Sequence, residues 1–152
     1  MSRIPASALV LGLAGLIPFL WGAATAVAIT VTYLQLPIIL LIYSGVPILV
    51  HYGMIILCFM AGVIWGFAAK EGGPWMPIGL TLSVLPALLM FFVFSLPMVT
   101  QLLALILGFV GLLAVDWACQ RKGLAPEWWM SLRLILTTVV VFCLGIGAAF
   151  AP

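Results

Sequence analysis

Ala68-Ala69-Lys70-Glu71-Gly72-Gly73-Pro74-Trp75 is the stretch on which the reading of this chain turns. Apolar residues run up to it from position 46 and away from it to position 95, while the stretch itself holds two adjacent charges, two glycines and a proline. Glycine pairs and Gly-Pro steps mark turns, so two long apolar runs are joined by a short polar connection. Each run has about the 20 residues that cross a bilayer as a helix. The composition agrees. Of 152 residues 67% are hydrophobic and 5% charged, whereas a soluble domain carries about a quarter charged residues. There are too few polar side chains to cover a water-facing surface, so lipid is the solvent for most of this chain.

Working outward from the turn, the sequence divides into five apolar spans at 7–29, 46–69, 75–95, 98–119 and 128–150. The expected fold is all-α, a single polytopic membrane domain over residues 1–152. The first span opens after Pro5 and is interrupted at Pro18. Arg3, the apolar run behind it and Ala23-Ala24-Thr25-Ala26 imitate a secretory signal peptide. Its glycines and proline suit a packed span, however, and it is read as the first helix. Pro86 lies within the third span, and Pro97 opens the fourth. Gln120-Arg121-Lys122-Gly123-Leu124-Ala125-Pro126-Glu127 separates the fourth from the fifth.

Residues 30–45 fit this scheme badly. They contain Leu36-Pro37-Ile38-Ile39-Leu40-Leu41-Ile42-Tyr43, strongly apolar but too short for a further crossing. An interfacial helix, a re-entrant segment or an extension of the second span are the alternatives. Exposing such a surface to water costs about 25 cal/mol per Å², so lipid or a partner protein must cover it. Pro37, Leu40, Ile42 and Tyr43, with His51 and Tyr52 at the start of the second span, are the candidate partner contacts.

Charge placement tests the count. Five spans put Arg3, Lys70, Arg121, Lys122 and Arg133 on one side and no Lys or Arg on the other. Cytoplasmic loops carry the basic residues of membrane proteins. The expected location is the bacterial inner (cytoplasmic) membrane, N-terminus cytoplasmic and C-terminus periplasmic, with the mitochondrial inner membrane as the alternative. A net charge of +2 without a basic patch argues against a nucleic-acid partner.

Few residues are candidates for chemistry. Asp116 ends the fourth span and Arg133 begins the fifth. Intramembrane charges are expensive and tend to pair, and a short connection makes these two helices antiparallel neighbours. A structural ion pair is expected, against a proton relay, an anion site or an Arg133 that snorkels to headgroups. His51, the single histidine, reads as a hydrogen-bonding side chain; a pigment ligand or pH switch is the sharper alternative. Met54 three residues on lacks the further ligands that copper requires. Cys58, Cys119 and Cys143 are far apart and show neither disulfide nor zinc spacing. Glu71 and Glu127 read as solvated loop charges. No catalytic cluster, cofactor motif or metal site is expected. Gly62-Val63-Ile64-Trp65-Gly66 is a G-x-x-x-G, whose missing side chains let another helix approach closely. Packing within the chain is the expected use of Gly62 and Gly66, with a homo-oligomer or partner contact as the alternative. Trp21, Trp65, Trp75, Trp117, Trp128 and Trp129 mostly fall near span ends, as an aromatic belt would.

These landmarks also carry a resemblance. Tyr52-Gly53-Met54-Ile55-Ile56-Leu57-Cys58-Phe59-Met60-Ala61-Gly62-Val63-Ile64-Trp65-Gly66 resembles the signature segment of the transmembrane protein 69-like family, also called domain of unknown function 3429. Leu11-Gly12-Leu13-Ala14-Gly15-Leu16-Ile17-Pro18-Phe19, Ser83-Val84-Leu85-Pro86-Ala87-Leu88, and Asp116 followed by Pro126-Glu127-Trp128-Trp129 and Leu132-Arg133-Leu134-Ile135-Leu136-Thr137 are similar to the same family. The resemblance covers nearly the whole chain. It implies a five-span protein of proteobacteria or of the mitochondrial inner membrane, with no established activity. Where relatives often carry His or Arg before the tryptophan, this chain has Ile64.

The resulting expectation is a non-catalytic accessory or assembly subunit of a larger, energy-transducing membrane complex. A small transporter or channel is the alternative. Transport pathways need polar groups at mid-depth beside discontinuous helices; Pro18 and Pro86 supply possible breaks, but almost no charge or amide lies at that depth. A membrane enzyme is disfavoured because no acid, base and nucleophile gather.

Overall fold

The computed structural model describes residues 3–32 and 43–151, the side chains of 30–32 excepted. Among the described residues all regular structure is helical. In lipid, backbone N–H and C=O groups have no water to bond, so the spanning segments satisfy them internally as helices. The helices are α1 (Ala6–Ala14), α2 (Ile17–Thr32), α3 (Gly45–Glu71), α4 (Met76–Val93), α5 (Met98–Arg121) and α6 (Trp129–Ala149). Among the described residues five stretches of 18 to 27 residues are long and apolar enough to cross, with α1 and most of α2 forming the first. At about 1.5 Å per residue, even the shortest approaches the bilayer's hydrocarbon thickness. This is a polytopic membrane protein.

The break between α1 and α2 follows from Pro18. Proline has no N–H, so the carbonyl four residues earlier loses its helical partner. Just before Pro18, Leu16 N bonds Leu13 O at 3.0 Å, a tighter turn. The first crossing is therefore interrupted at Gly15 and Leu16.

Helix ends are closed by specific means. Between α3 and α4, Gly72 and Gly73 take φ of 70° and 69°, values that side chains other than glycine rarely adopt. At the end of α4, Gln101 reaches back from α5, and its amide donates to Phe94 O at 3.0 Å and Leu96 O at 2.6 Å. Gly45 starts α3 at φ 62°, and its N–H donates to Thr25 Oγ1 at 2.7 Å. That bond sets the start of α3 beside α2, and Trp21 Nε1 adds a 3.0 Å bond to Tyr43 O. The chain therefore leaves α2 and enters α3 at the same end of the bundle. Pro37, Leu40 and Ile42, expected as partner contacts, lie outside the described residues, as does most of the 30–45 segment.

At the opposite end the two polar turns meet: Lys122 Nζ lies 4.6 Å from the centre of the Trp75 ring, and Arg121 stacks on Trp117 at 4.0 Å. Such contacts let cations sit at a membrane surface on an apolar body. Arg3 precedes α1 at this end, so the basic residues gather at one face of the bundle.

α3 is the central helix and packs on α2, α4, α5 and α6; α6 also packs on α5, α2 and α1. Phe19, Leu49, Leu57, Leu102, Leu105, Phe109 and Leu144 are fully buried. Close approach depends on single glycines. A Cβ on Gly53 would lie 2.9 Å from Leu105, on Gly108 2.7 Å from Leu57, on Gly147 2.6 Å from Leu49, and on Gly79 2.6 Å from the Ala68 Cβ. Gly62 and Gly66 do not take part: both are exposed, and a Cβ on either would meet nothing within 4 Å among the described residues. The expected use of that motif inside the chain is corrected accordingly. Its stripe lies on the outward side of α3, because Leu57, Ala61, Ile64 and Ala68 hold the inward side.

A methyl group added at Gly79 meets the Ala68 Cβ, which has no torsion by which to move aside, so α3 and α4 must separate. Gly79→Ala is expected to lower stability by about 1–3 kcal/mol. At Gly62 the same methyl meets open space, and Gly62→Ala is expected to be neutral or to gain about 0.5–1 kcal/mol of helix preference. Thermal unfolding of both variants in detergent checks the contrast; equal losses would contradict the packing assigned to α3.

Candidate functional site

Polar chemistry inside the bundle is concentrated where α5 meets α6. Arg133 Nε donates to Asp116 Oδ2 at 2.6 Å, and the two side chains are 3% and 1% exposed. Asp116 is five residues from the end of α5 and Arg133 four residues into α6, each about 6–8 Å along its helix. The short connection through Gly123, with φ 74°, folds α6 back on α5 and brings the two levels together. Desolvating two charges is expensive, and their attraction repays it only when geometry and further hydrogen bonds are good.

Trp129 supplies one of those further bonds. Its Nε1 donates to Asp116 Oδ1 at 3.0 Å, so both carboxylate oxygens accept charge-assisted bonds. The Phe67 ring meets the Trp129 ring edge-on at 5.6 Å, tying the group to α3. From sequence, Trp129 reads only as a membrane anchor. The signal for its second role is spacing, because Trp129 and Arg133 are four apart and share one face of α6. Thr137 continues the stripe by another four. It is 4% exposed, and its hydroxyl has no hydrogen-bond partner among the described residues. The same is true of Arg133 Nη2.

Arg133 and Thr137 line a cavity of about 130 Å³, together with Gly12, Gly15, Phe19 and Val140 among others. The cavity lies beside the break in the first crossing. Its remaining lining is apolar, with Leu11 and Phe59, both more than two-thirds exposed, at its margin.

The other sequence candidates lie elsewhere. His51 is exposed on α3. Tyr52 is turned into the fold: its hydroxyl donates to Gly15 O at 3.2 Å, and its ring meets Phe19 edge-on at 5.1 Å. It thereby holds the break in the first crossing against α3. Tyr43 has an exposed side chain. Cys119 and Cys143 are buried and Cys58 half-buried, all as free thiols. Among the described residues no three His, Cys, Asp or Glu side chains gather as metal ligands.

Removing one member of the ion pair strands the other in a dry site, at a cost on the order of 3 kcal/mol. Asp116→Asn and Arg133→Gln are each expected to reduce the yield and melting temperature of folded protein. The Asp116→Asn/Arg133→Gln double variant should recover part of the loss, since neither charge is then unpaired. A double-mutant cycle read by thermal unfolding measures this; strictly additive losses would mean the pair contributes no coupling.

Comparison with known proteins places these features in a family. Residues 4–149 match the family model described as "Protein of unknown function (DUF3429)". Transmembrane protein 69 of Xenopus tropicalis is 38% identical over 144 residues, which is 92% of this chain and 53% of that protein. The chain thus spans about half the length of the curated relative it matches. No solved structure matches. With a family model covering nearly its entire length, from before α1 to the end of α6, the chain belongs to the DUF3429 family, the transmembrane protein 69-like proteins.

Proposed function

We propose that the protein is a non-catalytic accessory or assembly subunit that packs, within the bilayer, against other proteins of a larger complex. The observation that carries this reading is the outward position of the Gly62 and Gly66 notch. Ile55, Phe59, Gly62 and Gly66 recur on one face of α3, all exposed, and among the described residues nothing fills the notch within 4 Å. Helices associate in lipid through such notches, because lipid tails leave no hydrophobic force between helices and close backbone approach supplies van der Waals packing in its place. Tyr43 and His51, both exposed near the start of the same helix, offer polar groups to the same partner. The family resemblance, which implies proteobacterial and mitochondrial inner membranes, supports placing the complex in an energy-transducing membrane.

The full chain purified in nanodiscs from its native membrane is expected to carry stoichiometric partner proteins. Gly62→Ile and Gly66→Ile are expected to release them while leaving the melting temperature of the isolated chain unchanged. If the wild-type chain runs alone, or both variants keep their partners, the subunit reading fails. A small transporter then takes its place, a reading favoured by the break at Pro18 beside the buried polar stripe of α6.

The clustering of basic residues at one end supports a cytoplasmic or matrix location for that end. A single cysteine introduced at Lys122 in a thiol-free background is expected to resist an impermeant maleimide in intact cells, while one at Ser95 reacts. The opposite labelling would invert the orientation.

A further inference from the structure

The cavity between α1, α3 and α6 is lined by two residues that each carry a donor the described residues leave unused. Arg133 Nη2 and Thr137 Oγ1 have no partner among the described residues, and their residues are 3% and 4% exposed. A buried donor without an acceptor carries the full penalty of its lost hydration. Most mid-helix threonines in lipid return their hydroxyl to the carbonyl four residues back, as Thr138 does here to Leu134 O at 2.8 Å. Thr137 does not, although Arg133 O is equally placed. The two residues, one helical turn apart, both line the same cavity, and the two unpartnered donors are buried at its wall.

We propose that this cavity is a binding site for a neutral carbonyl group carried on a lipid-soluble molecule. Three features select that chemistry. The carbonyl oxygen has two lone pairs and no proton, so it can accept from both donors and strands nothing. A water in the same place would leave its own hydrogens among Leu16, Phe19, Leu136 and Val140. Charge selects neutrality: the Arg133 cation is already matched by Asp116 at 2.6 Å, so a carboxylate or phosphate would meet no uncompensated charge. Size limits the buried end. A cavity of about 130 Å³ is comparable with the roughly 150 Å³ apolar cavity that admits benzene, enough for one ring or a short acyl segment. Entry is from the bilayer, between the exposed side chains of Leu11 and Phe59. A quinone-type ring and the acyl ester of a glycerolipid share this chemistry.

Two arms distinguish them, and both use the full isolated chain, so the outcome does not depend on any partner of α3. In nanodiscs of ether-linked phosphatidylcholine, which has no carbonyl, ubiquinone-1 is titrated while thermal unfolding is followed. In parallel, the melting temperature in ester-linked phosphatidylcholine is compared with that in the ether lipid. The variants are Thr137→Val, which removes the hydroxyl and keeps the shape, and Thr137→Ser, which restores it. A saturable rise with ubiquinone-1, about tenfold weaker in Thr137→Val and retained in Thr137→Ser, assigns the ring. A rise in ester over ether lipid with the same dependence on residue 137 assigns the acyl ester. Without ligand, Thr137→Val should melt at or above the wild type, because it removes an unpartnered hydroxyl. The proposal is overturned if Thr137→Val responds like wild type in both arms, or if it is less stable than wild type in the carbonyl-free lipid. The first result would make the cavity a void or a water site, and the second would give the hydroxyl a partner inside the fold.

Discussion

The 2.6 Å contact between Arg133 and Asp116 fixes more of this molecule than any other interaction. An unpaired charge at that depth would be expelled toward the headgroups, carrying its helix with it. Paired, the two charges require α5 and α6 to meet at one axial register, because sliding either helix by a turn separates them by about 5 Å. Trp129 and Phe67 extend the constraint to α3. Replacing a buried pair by well-packed apolar residues is often no loss of stability. What the pair adds is a single permitted register, in a bundle whose other contacts between α5 and α6 are nearly all apolar and would tolerate several.

Elsewhere the polar side chains work at joints. Gln101 closes the end of α4, Thr25 receives the first N–H of α3, and Tyr52 satisfies the Gly15 carbonyl beside the break in the first crossing. Each meets a backbone group left over where a helix stops or bends, which lipid cannot solvate. Between the joints the interior is apolar and its precision comes from absent side chains: leucines at 49, 57 and 105 lie where Gly147, Gly108 and Gly53 leave room. Dispersion contacts of this kind are small singly and large together. They replace the hydrophobic drive that helices lack in a hydrocarbon solvent.

This division of labour decides what was legible in the sequence. The five crossings and their turns follow from apolar run lengths and from Gly72, Gly73 and Pro97, because lipid imposes one local solution. The Asp116 and Arg133 contact was legible too, since two charges flanking a short connection have few other places to go. The side on which a glycine faces was not. G-x-x-x-G states that a helix can be approached at Gly62 and Gly66, but not by what, and the inward face of α3 was already claimed by Leu57, Ala61, Ile64 and Ala68. The glycines that do pack within the chain are opposed mainly by leucines, or by Ala68, a match between distant positions that no spacing reveals. Thr137 was hidden for a similar reason: a threonine in an apolar helix ordinarily bonds its own backbone, and only the fold shows that this one does not.

The stripe Trp129, Arg133, Thr137 then has two ends with opposite characters. Toward the basic end its donors are saturated, with both Asp116 oxygens engaged. Toward the bilayer centre Arg133 Nη2 and the Thr137 hydroxyl have no partner among the described residues, beside the break in the first crossing. A second carboxylate there would have saturated them, but it would also have added a net charge at greater depth, where charges are most costly. The carboxylate that makes Arg133 tolerable in the membrane also sets which of its nitrogens remains free. An arginine held through Nε by a neighbouring helix is neutral to its surroundings yet still directional. It therefore discriminates by hydrogen-bond geometry and not by charge, which is the discrimination that a site opening onto uncharged lipid requires.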